Sequence, residues 1–231
     1  MIEAKNLTKV YGRTTVLNIP ELTIPKGESF GLVGNNGAGK TTFFSLILDI
    51  IKADSGQVLS DGKNVKGSEH WKSYTGSYLD ENFLIDFLTP EEYFEFLGSL
   101  YSLNKDDTRT RLNLFSDFFN GEVLGKKKYI RHLSKGNQKK VGIAAALLFN
   151  PQILILDEPF PNLDPSTVIR LKNLLKDLNK NKDVTILVSS HDLNHVTEVC
   201  ERIVILKEGI IAEDIRTNED TLKKLEEYFS A

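Results

Sequence analysis

Gly34-Asn35-Asn36-Gly37-Ala38-Gly39-Lys40-Thr41-Thr42 carries the spacing G-x-x-x-x-G-K-[ST]. The apolar run Ser29-Phe30-Gly31-Leu32-Val33 before it predicts a strand, and Thr41 to about Ile51 predicts a helix. Strand, glycine-rich loop and helix in that order are the setting a P-loop requires. Each residue type has a task there. Glycine has no Cβ, so the backbone can approach a polyphosphate and turn several N–H groups toward it. The helix that follows points the positive end of its dipole at the same anion. Lys40 can reach the β- and γ-phosphates, and the Thr41 hydroxyl can ligate Mg²⁺. The four fixed positions arise by accident in on the order of 1% of chains this long. Residues 34–42 are therefore expected to hold a nucleotide.

The bulk properties limit what surrounds this loop. A chain of 231 residues can form one large α/β domain, or a domain with an inserted subdomain. Hydrophobic content of 40% and charged content of 26% are those of a soluble globular protein. A net charge of −3 argues against a dedicated nucleic-acid binder. Cys200 is the lone cysteine and cannot form an internal disulfide, which fits a reducing cytosol; it is expected to be buried filler. Met1-Ile2-Glu3 opens no signal peptide. The longest apolar run, Val141 to Phe149, reads as a buried helix and is far short of the roughly 18 residues of a membrane span.

Outward from the loop, Ile2–Val10 and Val16–Ile24 read as strands around a turn at residues 10–13, with a second turn at Pro25-Lys26-Gly27-Glu28. Ser55 to Gly62 reads as a strand ending in an Asp-Gly turn. From about Asp80 to Asn150 the pattern is helical. Thr89-Pro90-Glu91-Glu92 is a capping box, and Tyr93, Phe96, Leu97, Leu100 and Tyr101 follow at the spacing of one packing face. A second helix is expected from Asn104 as N-cap, carrying Leu112, Phe115 and Phe119 inward, and a third from about Gly136 to Phe149. Lys126-Lys127-Lys128 reads as a solvated connection. Ile153–Leu156 and Val184–Val188 are short, β-branched runs of the kind buried in parallel sheets. A helix from Pro165 to Leu178, capped by Asp164, lies between them. Residues 202–206 and 210–212 read as strands joined at 207–209, and 218–229 as a last helix. The expected fold is an α/β P-loop NTPase core with a mostly parallel sheet, an N-terminal antiparallel β subdomain and an inserted α-helical subdomain. Residues 1–79 and 151–231 would form the core, and 80–150 the insert, within a single domain.

Ile153-Leu154-Ile155-Leu156 ends in Asp157-Glu158-Pro159. Such a strand, placed beside the P-loop strand, would deliver Asp157 to the Mg²⁺ side of the phosphates. Glu158 would face the γ-phosphate, where it can polarise a water as general base.

Three further stretches complete a pattern: Leu133-Ser134-Lys135-Gly136-Asn137-Gln138, Asn162-Leu163-Asp164 and Ser189-Ser190-His191-Asp192. In order and spacing, Tyr11 to His191 resembles the ATP-binding cassette ATPases, the nucleotide-binding subunits of ABC transporters. By that resemblance Tyr11 stacks on adenine, although a packing tyrosine at a turn is the alternative reading. Ser134 and Gly136 form the signature motif, which binds the γ-phosphate held by a second subunit. Asp164 belongs to the D-loop that bridges the two sites, and His191 is the switch histidine at the γ-phosphate. His70, His132 and His195 have no such context and read as surface or packing residues. ATP and Mg²⁺ are the implied cofactors.

Two places depart from the family pattern. Lys135 and Asn137 replace a glycine and a glutamine of the signature, as in the ABC-2 or drug-export branch. The Q-loop glutamine falls at Asp80, with Glu81 beside it. A carboxylate there can reach Mg²⁺ or water through an oxygen but cannot donate an amide hydrogen bond. The resemblance implies an ATPase subunit working as a homodimer or heterodimer, on the inner face of the cell membrane, through a separate integral-membrane permease. Export is the favoured direction. The permease would meet the segment from Asp80 to Phe87, where Phe83, Leu84, Ile85 and Phe87 are either a contact surface or core. The alternatives are a soluble cassette without a permease, such as an iron–sulfur assembly type, and a non-hydrolysing switch.

Overall fold

A computed structural model describes residues 1–230, apart from the side chains of residues 181 and 182. Ala231, the last residue of the expected core, lies outside them. β1 (Ile2–Tyr11) and β2 (Thr14–Ile24) form a hairpin turned at Gly12, whose φ of 61° suits glycine. With β4 (Ser55–Ser60) and β5 (Lys63–Asn64) they make an antiparallel sheet in the order β2-β1-β4-β5. Leu17, Ile19, Leu22 and Ile24 of β2 are buried while Asn18, Pro20 and Glu21 are less so, the one-faced alternation such sheets allow.

The second sheet has six strands in the order β10 (Ile210–Arg216), β9 (Arg202–Lys207), β3 (Ser29–Val33), β8 (Thr185–Ser190), β7 (Ile153–Leu156) and β6 (Thr75–Tyr78). All pairings from β9 to β6 are parallel; β10 runs antiparallel to β9 through a tight turn at Glu208-Gly209. Every residue of β3, β7 and β8 is buried. Both faces are covered, and the side chains alternate between two cores. Ile153, Ile155 and Leu187 pack with Phe43 and Phe44 of α1 (Lys40–Ile47) and with the antiparallel sheet. Leu154, Leu156, Ile186 and Val188 face the opposite core of helices.

That helical side holds α2 (Pro90–Leu100), α3 (Lys105–Asn113), α4 (Ser116–Phe119), α5 (Lys135–Leu147), α6 (Pro165–Lys182), α7 (Leu193–Val199) and α8 (Thr221–Ser230). The capping box closes α2: the Thr89 N–H donates to Glu92 at 2.8 Å, and the Glu92 N–H to the Thr89 hydroxyl at 3.3 Å. Asn104 caps α3 through the Asp107 N–H at 2.8 Å.

Four expectations need correction. β7 does not lie beside the P-loop strand; β8 separates them, and β3 pairs with β8 and β9. The helix expected through Phe119 breaks after Asn113, and Phe115 and Phe119 reach the core from a second short helix. On α2, Phe96 and Leu100 point outward at 43% and 63% exposure, while Phe94 is fully buried against Phe119 with ring centroids 6.0 Å apart. Tyr93, Phe94 and Phe96 spread over a broad arc of α2, so period alone does not select its inner face. α1 also ends early, at Ile47, and the chain turns through a left-handed Asp49.

Candidate active site

β3 ends at Val33 and α1 begins at Lys40, so residues 34–39 span the gap between sheet and helix. Gly39 is the residue before α1, with φ of 105°, and a Cβ on it would lie 2.8 Å from the Val16 carbonyl oxygen. A side chain on Gly34 would run into the Leu206 carbonyl. The loop can be this compact only with glycine at both places. Among the described residues no side chain caps α1, which leaves its first-turn N–H groups for an anion. Asn36 through Thr42 line a cleft of about 330 Å³ together with Val16 and Glu158.

Lys40 is buried within the loop. Its ammonium donates to the carbonyls of Gly34 at 2.5 Å and Asn35 at 3.3 Å, and lies 3.5 Å from Glu158 Oε1. The Thr41 hydroxyl donates to Asp157 Oδ2, and the Ser189 hydroxyl donates to Asp157 Oδ1. Burial pushes the Asp157 carboxyl above its ordinary pKa, against the lowering effect of those two hydroxyls.

Glu158 adopts a left-handed backbone, φ 45°, which turns the chain sharply at the end of β7. Its N–H donates to Ser189 Oγ at 2.9 Å. Its Oε2 is 2.9 Å from His191 Nδ1, while Oε1 is buried with no hydrogen-bond partner among the described residues. Ser189 thus fixes both carboxylate residues at once. The strand between β3 and β7 supplies it, and His191 follows directly after that strand. Sequence reading missed Ser189; the only signal was a serine following the apolar run before His191.

Lys40, Thr41, Asp157, Glu158 and His191 are joined in one hydrogen-bonded and ion-paired chain. Ser134, Gly136 and Asp164 are not part of it. Ser134 is exposed and caps α5 by accepting the Asn137 N–H at 3.2 Å. A Cβ on Gly136 would sit 2.5 Å from the Asn162 carbonyl oxygen, so the signature glycine packs directly under the Asn162-Leu163-Asp164 turn. Asp164 caps α6, accepting from the Ser166 hydroxyl at 2.6 Å, the Thr167 hydroxyl at 2.5 Å and the Thr167 N–H at 3.0 Å. These bonds hold its carboxyl well below the usual aspartate pKa.

Tyr11 stands at the end of β1, 51% exposed, with the Lys9 ammonium 5.1 Å from its ring centre. Asp80 caps the short turn at residues 81–83 by accepting the Asn82 N–H at 2.7 Å. It borders a cleft of about 210 Å³ beside α2 and α5. Phe83 lines this cleft, and Phe83 and Phe87 are each 61% exposed, whereas Leu84 and Ile85 pack on the helical core. His70 and His132 are on the surface, His195 packs against Phe160 with tilted rings 4.5 Å apart, and Cys200 is buried.

The sequence pattern of the ABC transporter family matches residues 17–161. The chain belongs to the ABC transporter family. The cassette is 34% identical over 218 residues to an ABC transporter ATP-binding protein of Synechocystis sp., covering 90% of this chain and 61% of that one. It thus spans about three fifths of that relative's length. It is 35% identical over 225 residues to the bacitracin transport ATP-binding protein BcrA of Enterococcus faecalis, covering 95% of this chain and 70% of that one. A dimeric ATP-binding cassette solved in a post-hydrolysis state with ADP and Pi superposes on it with a TM-score of 0.85 at 28% identity, covering 94% of this chain and 99% of that one. The cassette is an α/β protein of this family.

Proposed function

We propose that this cassette hydrolyses ATP at a site completed by a second cassette and drives export through a separate integral-membrane permease. The observation that carries the reading is the continuous chain from Lys40 and Thr41 through Asp157 and Ser189 to Glu158 and His191. In it Lys40 and the N-terminus of α1 hold the β- and γ-phosphates. Glu158 orients a water and takes its proton as the water oxygen attacks the γ-phosphorus and ADP leaves. His191, hydrogen-bonded to the same carboxylate, steadies it and faces the γ-phosphate. Thr41 and Asp157 offer a hydroxyl and a carboxylate oxygen already side by side, hard ligands of the kind Mg²⁺ takes alongside substrate phosphates. Bound there, Mg²⁺ would neutralise charge on the phosphate oxygens. Asp80 is a weaker candidate for the same ion, since its carboxylate is engaged in a local cap.

The half-exposed ring of Tyr11 is suited to stacking on adenine. Ser134 and Gly136 open α5 on an exposed surface, away from this chain's own P-loop bonds. That placement supports their serving the nucleotide of a partner, with Asp164 carrying the turn between the two sites. Residues 80–150 would act as the helical subdomain that brings the signature to the partner. Among the described residues no helix is long and apolar enough to cross a membrane, so a permease would supply the path. The exposed Phe83 and Phe87 give it a place to dock, at the inner face of the cell membrane. The bacitracin transport relative supports a transport role, and the Lys135 signature variant favours export.

Lys40→Ala should lower ATP turnover by about 100-fold or more. Wild-type cassette purified from membranes should bring down a polytopic protein. Recovery only from the soluble fraction, free of any membrane protein, would favour the soluble alternative.

A further inference from the structure

Lys139 lies in the early turns of α5, the helix that Ser134 caps. It is only 5% exposed, an unusual position for a lysine. Its ammonium donates to the main-chain carbonyls of Glu158 at 2.7 Å and Pro161 at 3.0 Å, and lies 6.0 Å from the centre of the Tyr78 ring. The charges of Glu81, Glu158, Asp80 and Asp157 favour its charged form, although burial outweighs them and lowers the pKa of the amine. One buried cation therefore sits where the segment after β6, the signature helix and the loop after β7 converge.

That loop is conformationally demanding. Glu158 and Asn162 both have left-handed backbones, with φ of 45° and 66°. Residues with a Cβ hold that conformation where their surroundings enforce it. The peptide groups of Glu158 are held at both ends: its N–H by Ser189 and its carbonyl by Lys139.

We infer that Lys139 is a positioning residue for hydrolysis, clamping the Glu158 backbone so that its carboxylate meets the attacking water and tying that carboxylate to the helix that carries Ser134 and Gly136. The inference rests on the reading of Glu158 as general base. Displacing a catalytic group by about 1 Å can cost on the order of 100-fold in rate, while nucleotide binding, carried by the P-loop, stays intact.

The test measures single-turnover hydrolysis, ATP affinity and thermal melting for Lys139→Met, Glu158→Gln and the double variant. Lys139→Met is expected to slow hydrolysis about 10- to 100-fold, with ATP affinity within about twofold of wild type. In the Glu158→Gln background it should slow hydrolysis no further, because its effect passes through that carboxylate. Wild-type hydrolysis by Lys139→Met beside an inactive Glu158→Gln overturns the inference alone. An equal slowing in both backgrounds overturns it too. Wild-type hydrolysis by Glu158→Gln overturns the general-base reading, and the inference with it. Should Lys139→Met not fold, Lys139→Gln, which keeps a donor amide, is measured against the same criteria.

Discussion

Ser189 shows how one hydroxyl can govern two acids. It donates to Asp157 and accepts from the Glu158 N–H, so the two neighbouring acids share one anchor. Removing it leaves Asp157 buried with only Thr41 as a hydroxyl donor. A buried carboxylate that loses a donor is harder to ionise. Ser189→Ala should therefore raise the Asp157 pKa further, and the acidic limb of the rate profile should move to higher pH. Turnover at neutral pH should fall about tenfold, the worth of one hydrogen bond to a charged group. A profile superimposable on wild type would remove Ser189 from the mechanism. Nothing local in the sequence distinguishes Ser189 from Ser190. Its role depends on which strand lies between β3 and β7, and strand order is a property of the whole sheet.

The capped starts of three helices were legible because their physics is local. Thr89, Asn104 and Asp164 each accept the N–H group that their position in the sequence predicts. β6 and α7 were not legible. Thr75-Gly76-Ser77-Tyr78 has no apolar alternation, and it is a strand because it pairs with β7 and because Gly76 leaves room for the Ala146 carbonyl. The inward face of α2 was misread for a related reason, since it is set by Phe119 on another helix. Asp164 carries a prediction for its own helix. Asp164→Ala removes the cap of α6 and should cost about 1 kcal/mol, lowering the Tm by about 2–4 °C for a chain of this size. The Asp164 pKa is depressed on folding, so its contribution is complete above the ordinary value of 3.8 and is lost as pH falls through the folded-state pKa. The deficit of the variant in thermal melting should be full at neutral pH and shrink in strong acid; a deficit independent of pH would assign it to packing instead.

At the scale of the molecule, the site is distributed over surfaces that one chain does not bring together. The P-loop, Asp157, Glu158 and His191 are bonded to one another, while Ser134 opens a separate helix with its hydroxyl committed only to its own cap. On the proposed reading, a second copy, or a homologous partner, completes the arrangement. Glu158→Gln keeps the shape of the side chain and removes the base, so with saturating ATP it should accumulate as a closed dimer. Light scattering reads this directly: a species of twice the 26.0 kDa chain mass is expected with ATP, and a monomer at saturating ATP would count against a shared site.

The P-loop strand also has an unusual dependence on the far end of the chain. Ser29 is registered with Ile186 and Phe30 with Arg202, and β3 has no nearer partner in its sheet. A ribosome that has passed Glu158 has made the phosphate loop and both acids, yet it has not made the strand that seats them side by side. The nascent cassette must keep this fully buried strand unmatched until β8 and β9 have left the exit tunnel. Its ability to grip a nucleotide therefore arrives late in synthesis and all at once, and an interrupted chain would carry every phosphate-binding residue without the fold that makes them a site.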